Sequence, residues 1–176
     1  MLKTAQSGLN NFLKGTGNKV HGKILKRTRV SPDTILYKFR YSEGEKQLGL
    51  KTGQHLYIHG ADEEGNVLKQ PYTPINIDES NGTFDLLVKV YQRDLQHPKG
   101  GKMSRYLQDQ QRGDELEMEG PEGRFTYEGK GLFNFYELSK ENEYNKVCMI
   151  GGGTGIVILY QVSLFLFYFS VIFQFT

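Results

Sequence analysis

Thr34-Ile-Leu-Tyr-Lys-Phe-Arg-Tyr41 places Ile35, Tyr37, Phe39 and Tyr41 on one side of an extended chain and Lys38 and Arg40 on the other. That period of two marks a strand with one face on a core. Upstream, His21 to Val30 alternates as well, and Ser31-Pro-Asp33 between the two runs reads as a turn. Downstream, Gln54-His-Leu-Tyr-Ile-His59 is a further strand, closed by the polar loop Gly60 to Asn66. Gln70 to Ile77 and Thr83 to Tyr91 follow, joined by the hairpin turn Glu79-Ser-Asn-Gly82. After a Pro- and Gly-containing loop, Asp94 to Gly101, the spacing predicts one short helix over Ser104 to Asp109, ended near Gly113. Glu115 to Glu119 and Arg124 to Tyr127 add two strands around Gly120-Pro-Glu-Gly123. Five or six short strands interrupted by one helix predict a mainly β fold, an antiparallel barrel with Greek-key connections.

Composition agrees with such a fold. The 176 residues are 38% hydrophobic and 24% charged, with 21 glycines and eleven each of Tyr and Phe. This suits a turn-rich globular chain that favours strands and is long enough to bury a core. A net charge of +2, with no basic motif interleaved with aromatics, argues against nucleic acid as a partner. The single cysteine, Cys148, excludes an internal disulfide and fits a reducing, cytoplasmic setting. Its apolar surroundings predict a buried, inert thiol. His21, His55, His59 and His97 are scattered in a way that suits no metal site, so none is expected.

Both ends differ from the middle. Lys3, Lys14, Lys19, Lys23, Lys26, Arg27 and Arg29 all precede the first acid, Asp33. Leu2, Ala5, Leu9, Phe12 and Leu13 recur at helical spacing, so residues 1–19 read as a solvated basic arm or an amphipathic, membrane-associated helix. After Lys146 no charge remains. Val147 to Ile150 reads as a buried strand running into the turn Gly151-Gly-Gly-Thr-Gly155, the entrance to a nucleotide-binding lobe. Residues 131–145 read as a polar connector, 146–162 as the start of that lobe, and 163–176 as an apolar tail.

Three short motifs carry chemistry. Tyr72-Thr-Pro74, preceded by Gln70-Pro71, offers an aromatic platform beside a hydroxyl; alternatively Tyr72 is a core residue. Gly100-Gly-Lys-Met-Ser104 leads into the helix, where free N–H groups, a lysine and a serine suit an anion; alternatively Ser104 merely caps the helix. The spacing is not that of a Walker motif. Gly151 to Gly155 suits close approach of a cofactor, or is a glycine turn without a ligand.

Taken in order, these motifs resemble the flavin-binding half of NADH–cytochrome b5 reductase and the related module of nitrate reductase. The resemblance rests on Gly53-Gln-His-Leu-Tyr57, Pro71-Tyr-Thr-Pro74, Phe84-Asp-Leu-Leu-Val-Lys-Val-Tyr91 and His97-Pro-Lys-Gly-Gly-Lys-Met-Ser104. It continues through Gly120-Pro-Glu-Gly-Arg-Phe125 and Met149-Ile-Gly-Gly-Gly-Thr-Gly-Ile156, and runs from about residue 20 to 156. It implies a six-stranded FAD-binding barrel over 20–130, followed by the first strand of an NADH-binding lobe. On that pattern Tyr72 and Thr73 hold the isoalloxazine, with Gln70 and Pro71 leading into them. Leu87 and Lys89 lie along the flavin, Gly101, Lys102, Met103 and Ser104 meet the pyrophosphate, and Thr154 sits where nicotinamide stacks. Hydride would pass from NADH to the flavin at Thr73 and Thr154, and electrons onward to cytochrome b5 or another haem protein.

The chain departs from the family at four places. Gln70 replaces an arginine that pairs with the pyrophosphate, and Val157-Ile158 replaces Thr-Pro beside the flavin. Gln92 replaces an aromatic. The Cys-Gly-Pro motif that positions nicotinamide is absent, so this chain is expected not to turn over NADH alone; it could instead be a non-catalytic flavin-binding or membrane-tethered module. Beyond Ile156 the family pattern breaks. Ile156 to Thr176 reads as a misjoined or truncated gene product, a membrane span or a soluble helix.

Overall fold

The computed structural model describes residues 15–41, 47–78, 80–95, 98–136, 140–144 and 146–173. The proposed amphipathic helix around Leu2 to Leu13 lies outside them.

Strands β1 (Gly15–Ser31), β2 (Thr34–Arg40), β3 (His55–Ala61), β4 (Val67–Tyr72), β5 (Asn76–Asp78), β6 (Thr83–Lys89) and β7 (Glu115–Glu122) form one antiparallel sheet. Its seven strands run in the order β4-β3-β7-β1-β2-β6-β5. The alternation read from the sequence places the core: Ile35, Tyr37 and Phe39 of β2 and Phe84, Leu86 and Val88 of β6 are buried with Ile24, Leu56, Ile58, Leu116 and Met118. Phe39 and Phe84, directly paired across β2 and β6, stack with ring centroids 5.2 Å apart. Residues of β4 and β6, far apart in the strand order, border one cleft. The sheet is therefore rolled, as a barrel requires.

Helix α1 (Lys102–Asp109) covers one end through Met103 and Leu107. The buried Tyr37 hydroxyl donates to the Leu107 carbonyl at 2.7 Å, tying α1 to the barrel. Strands β8 (Phe125–Gly129), β9 (Leu132–Phe135) and β10 (Lys140–Glu143) form a second sheet in the order β10-β9-β8. A 3-10 turn (Gly153–Gly155) leads into α2 (Ile156–Phe173).

Several local expectations change. β1 begins at Gly15, inside the expected arm, because Gly15 and Lys19 pair with Gly120 and Glu119 of β7. Gln70 to Ile77 is two strands rather than one; Thr73 and Pro74 intervene, and proline has no N–H for a ladder. Residues 132–143 are not a loose connector. Phe133 and Phe135 sit beside Phe125 and Tyr127, and these rings assemble the small sheet. Val147 to Ile150 is no strand: it has no paired neighbour among the described residues, and Ile150 is 91% exposed. Cys148, expected to be buried, is accordingly exposed.

The helix α2 docks on β8. Gln161 Oε1 accepts from the Gly53 N–H at 2.8 Å, Val162 is buried, and Phe165 meets Tyr127 edge-on with centroids 5.4 Å apart. Among the described residues no helix is long and apolar enough to cross a membrane.

Candidate flavin cleft

A cleft of about 680 Å³ opens where β4, the end of β6, the start of α1 and the glycine turn converge. Each residue expected to hold the cofactor borders it: Gln70, Pro71, Tyr72, Thr73, Leu87, Lys89, Gly101, Lys102, Met103, Ser104 and Thr154. Each arrives for a local reason. On β6 the alternation that buries Phe84, Leu86 and Val88 turns Leu87 and Lys89 to the opposite face. Pro71 and Pro74 bracket the bend that ends β4 and presents Tyr72 and Thr73.

The turn Gly100 to Ser104 is held by the backbone of Tyr91. The Gly101 N–H donates to the Tyr91 carbonyl at 2.8 Å, and the Tyr91 N–H donates to Ser104 Oγ at 3.2 Å. Ser104 in turn donates to the Gly101 carbonyl at 3.0 Å. Ser104 is therefore not the helix cap: Gly101 occupies that position, without a side-chain capping bond. The first amides of α1 have no intrahelical acceptor, which suits an anion. Gly100 adopts φ +57°, and a Cβ there would lie 2.9 Å from the Tyr91 carbonyl oxygen, so only glycine fits this turn.

Electrostatics divide the cleft. Burial pushes the Tyr72 phenol well above its ordinary pKa, with Tyr37 and Tyr91 adding to the effect, so it remains a protonated donor at neutral pH. Lys89 lies 3.2 Å from Asp33, which its own serine, lysine and threonine bonds hold below the usual carboxylate range. Lys102 Nζ meets Asp62 at 2.5 Å and Glu64 at 3.3 Å, and these bonds raise its pKa. Among the described residues the cleft lining itself holds no acid.

Leu68, Tyr91, Gly155, Val157 and Ile158 also border the cleft. Tyr91 could have been found from the sequence, since it continues the 87, 89, 91 register beyond β6. Val157 and Ile158 bring apolar groups where the resemblance expects a polar contact. Gln92, the other departure, turns away and donates to Gln108 Oε1 at 2.6 Å.

The residues present suit a flat heterocycle joined to phosphate. An aromatic, a threonine and a leucine stand together, with amides and a lysine at one end. At Gly152, Gly153 and Gly155 an added Cβ would meet nothing within 4 Å. This side of the turn is thus open to close approach from outside the chain.

A family model described as the oxidoreductase FAD-binding domain matches residues 21–127. The chain belongs to that family. It is 41% identical over 147 residues to NADH-cytochrome b5 reductase 3 of Mus musculus, which covers 80% of this chain and 48% of that protein. It is 40% identical, with the same coverage, to NADH-cytochrome b5 reductase 1 of Homo sapiens. Among solved structures, the cytochrome b5 reductase domain of Ulva prolifera nitrate reductase aligns with a TM-score of 0.77 at 34% identity, covering 86% of this chain and 57% of that one. The chain therefore spans about half the length of the curated relatives it matches. The antiparallel, mainly β fold is that of this reductase domain.

Proposed function

We propose that this member of the family is the flavin-holding part of a cytochrome b5 reductase-type oxidoreductase, with FAD in the cleft, NADH as electron donor and a haem protein as acceptor. The observation that carries this reading is the convergence of Tyr72-Thr73, Leu87 and Gly101 to Ser104 on one cleft from three separate segments. When bound, FAD would supply the hydride-accepting and electron-donating chemistry, and the protein the orientation.

Tyr72 would pack by the heterocycle with its O–H as donor, and Thr73 would offer its hydroxyl and N–H to the polar edge. Leu87 would exclude water from one side. The amides opening α1 and the Lys102 ammonium would take the pyrophosphate. Thr154 would stand where the donor approaches. The exposed, unpaired stretch Val147 to Ile150 supports a chain that holds flavin yet turns over NADH poorly by itself, because the donor is not held for transfer. Basic residues Lys23, Lys26 and Arg27 would suit an acidic acceptor.

The test is a visible spectrum of the purified protein with added FAD. Retained yellow flavin with a shifted absorption band is expected, and replacing Tyr72 with Ala should weaken retention. Protein that stays colourless after gel filtration with excess FAD would refute the reading. Bleaching by NADH at a reductase-like rate would overturn the claim that this chain is not competent alone.

A further inference from the structure

Lys102 is the cation that borders the phosphate end of the cleft, yet its ammonium is already occupied. It also borders a smaller hollow of about 340 Å³ with Asp62, Glu63 and Arg105. There the β3–β4 loop, Asp62-Glu63-Glu64, brings Asp62 to 2.5 Å and Glu64 to 3.3 Å from Nζ. The loop is fixed in place. Asp62 Oδ1 accepts from the Asn66 N–H at 2.8 Å and the Glu64 N–H at 3.1 Å, and its side chain is only 4% exposed. Glu63 is clamped between Arg93 at 2.6 Å and Arg105 at 2.5 Å. Since Asp62 is anchored and the lysine stem is flexible, exchange of that partner is made by Lys102, while the exposed Glu64 carboxylate can swing aside. Gln70, on the facing strand, brings no positive charge to take its place.

We propose that the β3–β4 loop competes, within the molecule, with the phosphate of a bound flavin for Lys102. Asp62 and Glu64 hold Lys102 back, and so set how strongly the cleft prefers phosphorylated over unphosphorylated flavins. This rests on the flavin reading of the cleft. A phosphate must displace two carboxylates to recruit Lys102, whereas riboflavin asks nothing of it. The loop therefore weakens FAD and FMN selectively and leaves riboflavin alone.

The test uses flavin-stripped protein and the D62N/E64Q variant, with binding of riboflavin, FMN and FAD read by flavin fluorescence. Glu64 is largely exposed, so E64Q alone serves as a second variant that leaves the Asp62 turn intact. Freeing the lysine should tighten FMN and FAD by about fivefold in the double variant, and less in E64Q, with riboflavin unchanged. Inorganic pyrophosphate, read by its shift of thermal unfolding, should gain in the same proportion. Unchanged FAD and pyrophosphate affinities alongside normal riboflavin binding would overturn the competitor and leave the flavin reading standing. Equal tightening of riboflavin would overturn it too, since the effect would not be on phosphate. If none of riboflavin, FMN and FAD binds either protein while pyrophosphate still discriminates them, the flavin reading falls and the competition at Lys102 stands.

Discussion

Replacing Ser104 with Ala should destabilise the protein by about 2 kcal/mol, more than a hydroxyl usually contributes. The side chain is 6% exposed, and its oxygen both accepts from the Tyr91 N–H at 3.2 Å and donates to the Gly101 carbonyl at 3.0 Å. The carbonyl keeps a second partner, the Arg105 N–H at 3.0 Å, so its loss is small. The Tyr91 N–H loses the acceptor it uses here. A net hydrogen bond is worth about 1 kcal/mol, and a buried donor left unpaired costs about 1–3 kcal/mol. For a chain of this size each kcal/mol moves Tm by roughly 2–4 °C, so a fall of about 4–8 °C is expected by differential scanning calorimetry. Ser163 provides the control. Its hydroxyl also bonds a carbonyl, that of Leu159 at 2.7 Å, but on an exposed face of α2, so Ser163→Ala should shift stability by less than about 0.5 kcal/mol. Because the same bonds shape the turn at the phosphate end of the cleft, S104A should also weaken FAD retention. A Tm within a degree of the parent, or an equal fall in S163A, would refute the reasoning.

Gln70→Arg should tighten FAD by one to two decades, the roughly 1.5–3 kcal/mol of a charge-assisted contact, and leave riboflavin unchanged; equilibrium dialysis separates the two. Gln161→Ala removes the acceptor of the Gly53 N–H, so exchange of that amide, followed by NMR, should accelerate while core amides of β2 and β6 keep their protection. The carboxylates of Asp33, Asp62, Glu63 and Asp78 are all held below their ordinary range by hydrogen bonds and ion pairs. Groups lowered on folding stabilise fully above their unfolded values and lose that contribution as pH falls through the folded ones. Their contribution to thermal stability should therefore be complete above about pH 5 and decline below about pH 4, preceded by a smaller loss beginning at about pH 6.5 from His55, whose pKa burial lowers. An upper step that survives in H55Q would refute that assignment.

The barrel strands and the cleft residues were legible because each signal is local. Alternation in Thr34 to Tyr41 reports one buried face without knowledge of the partner strand, whereas the break at Pro74 within Gln70 to Ile77 was not read from its prolines. What was missed depends on neighbours. Phe133 and Phe135 look like any polar-aromatic connector until Phe125 and Tyr127 lie beside them. Val147 to Ile150 has the composition of a buried strand, but burial requires strands on both sides, and its apolar side chains stand exposed. Ser104 precedes a helical run as a cap would. The helix instead starts two residues earlier, at Lys102, where the backbone of Tyr91 fixes the turn.

The two walls of the cleft are held in different ways. Tyr72, Leu87 and Ser104 stand on or beside barrel strands whose other faces form the core, so moving them would disturb Phe84, Leu86 or Leu107. Thr154 has no such support, because the stretch before it is unpaired and the space beside Gly152, Gly153 and Gly155 is open. Its position follows from α2. That helix is fixed by Gln161 on the Gly53 amide and by Phe165 against Tyr127. Gly53 can present its amide there because it adopts φ +99°, where a Cβ would lie 2.8 Å from the Phe125 ring. A side chain at residue 53 would thus displace the far wall of the cleft from about a hundred residues away, while the flavin-facing wall at Tyr72 kept its place. On the proposed reading, the barrel would determine whether a flavin is held, and the docking of α2 on Gly53 and Tyr127 would determine what meets it from the other side.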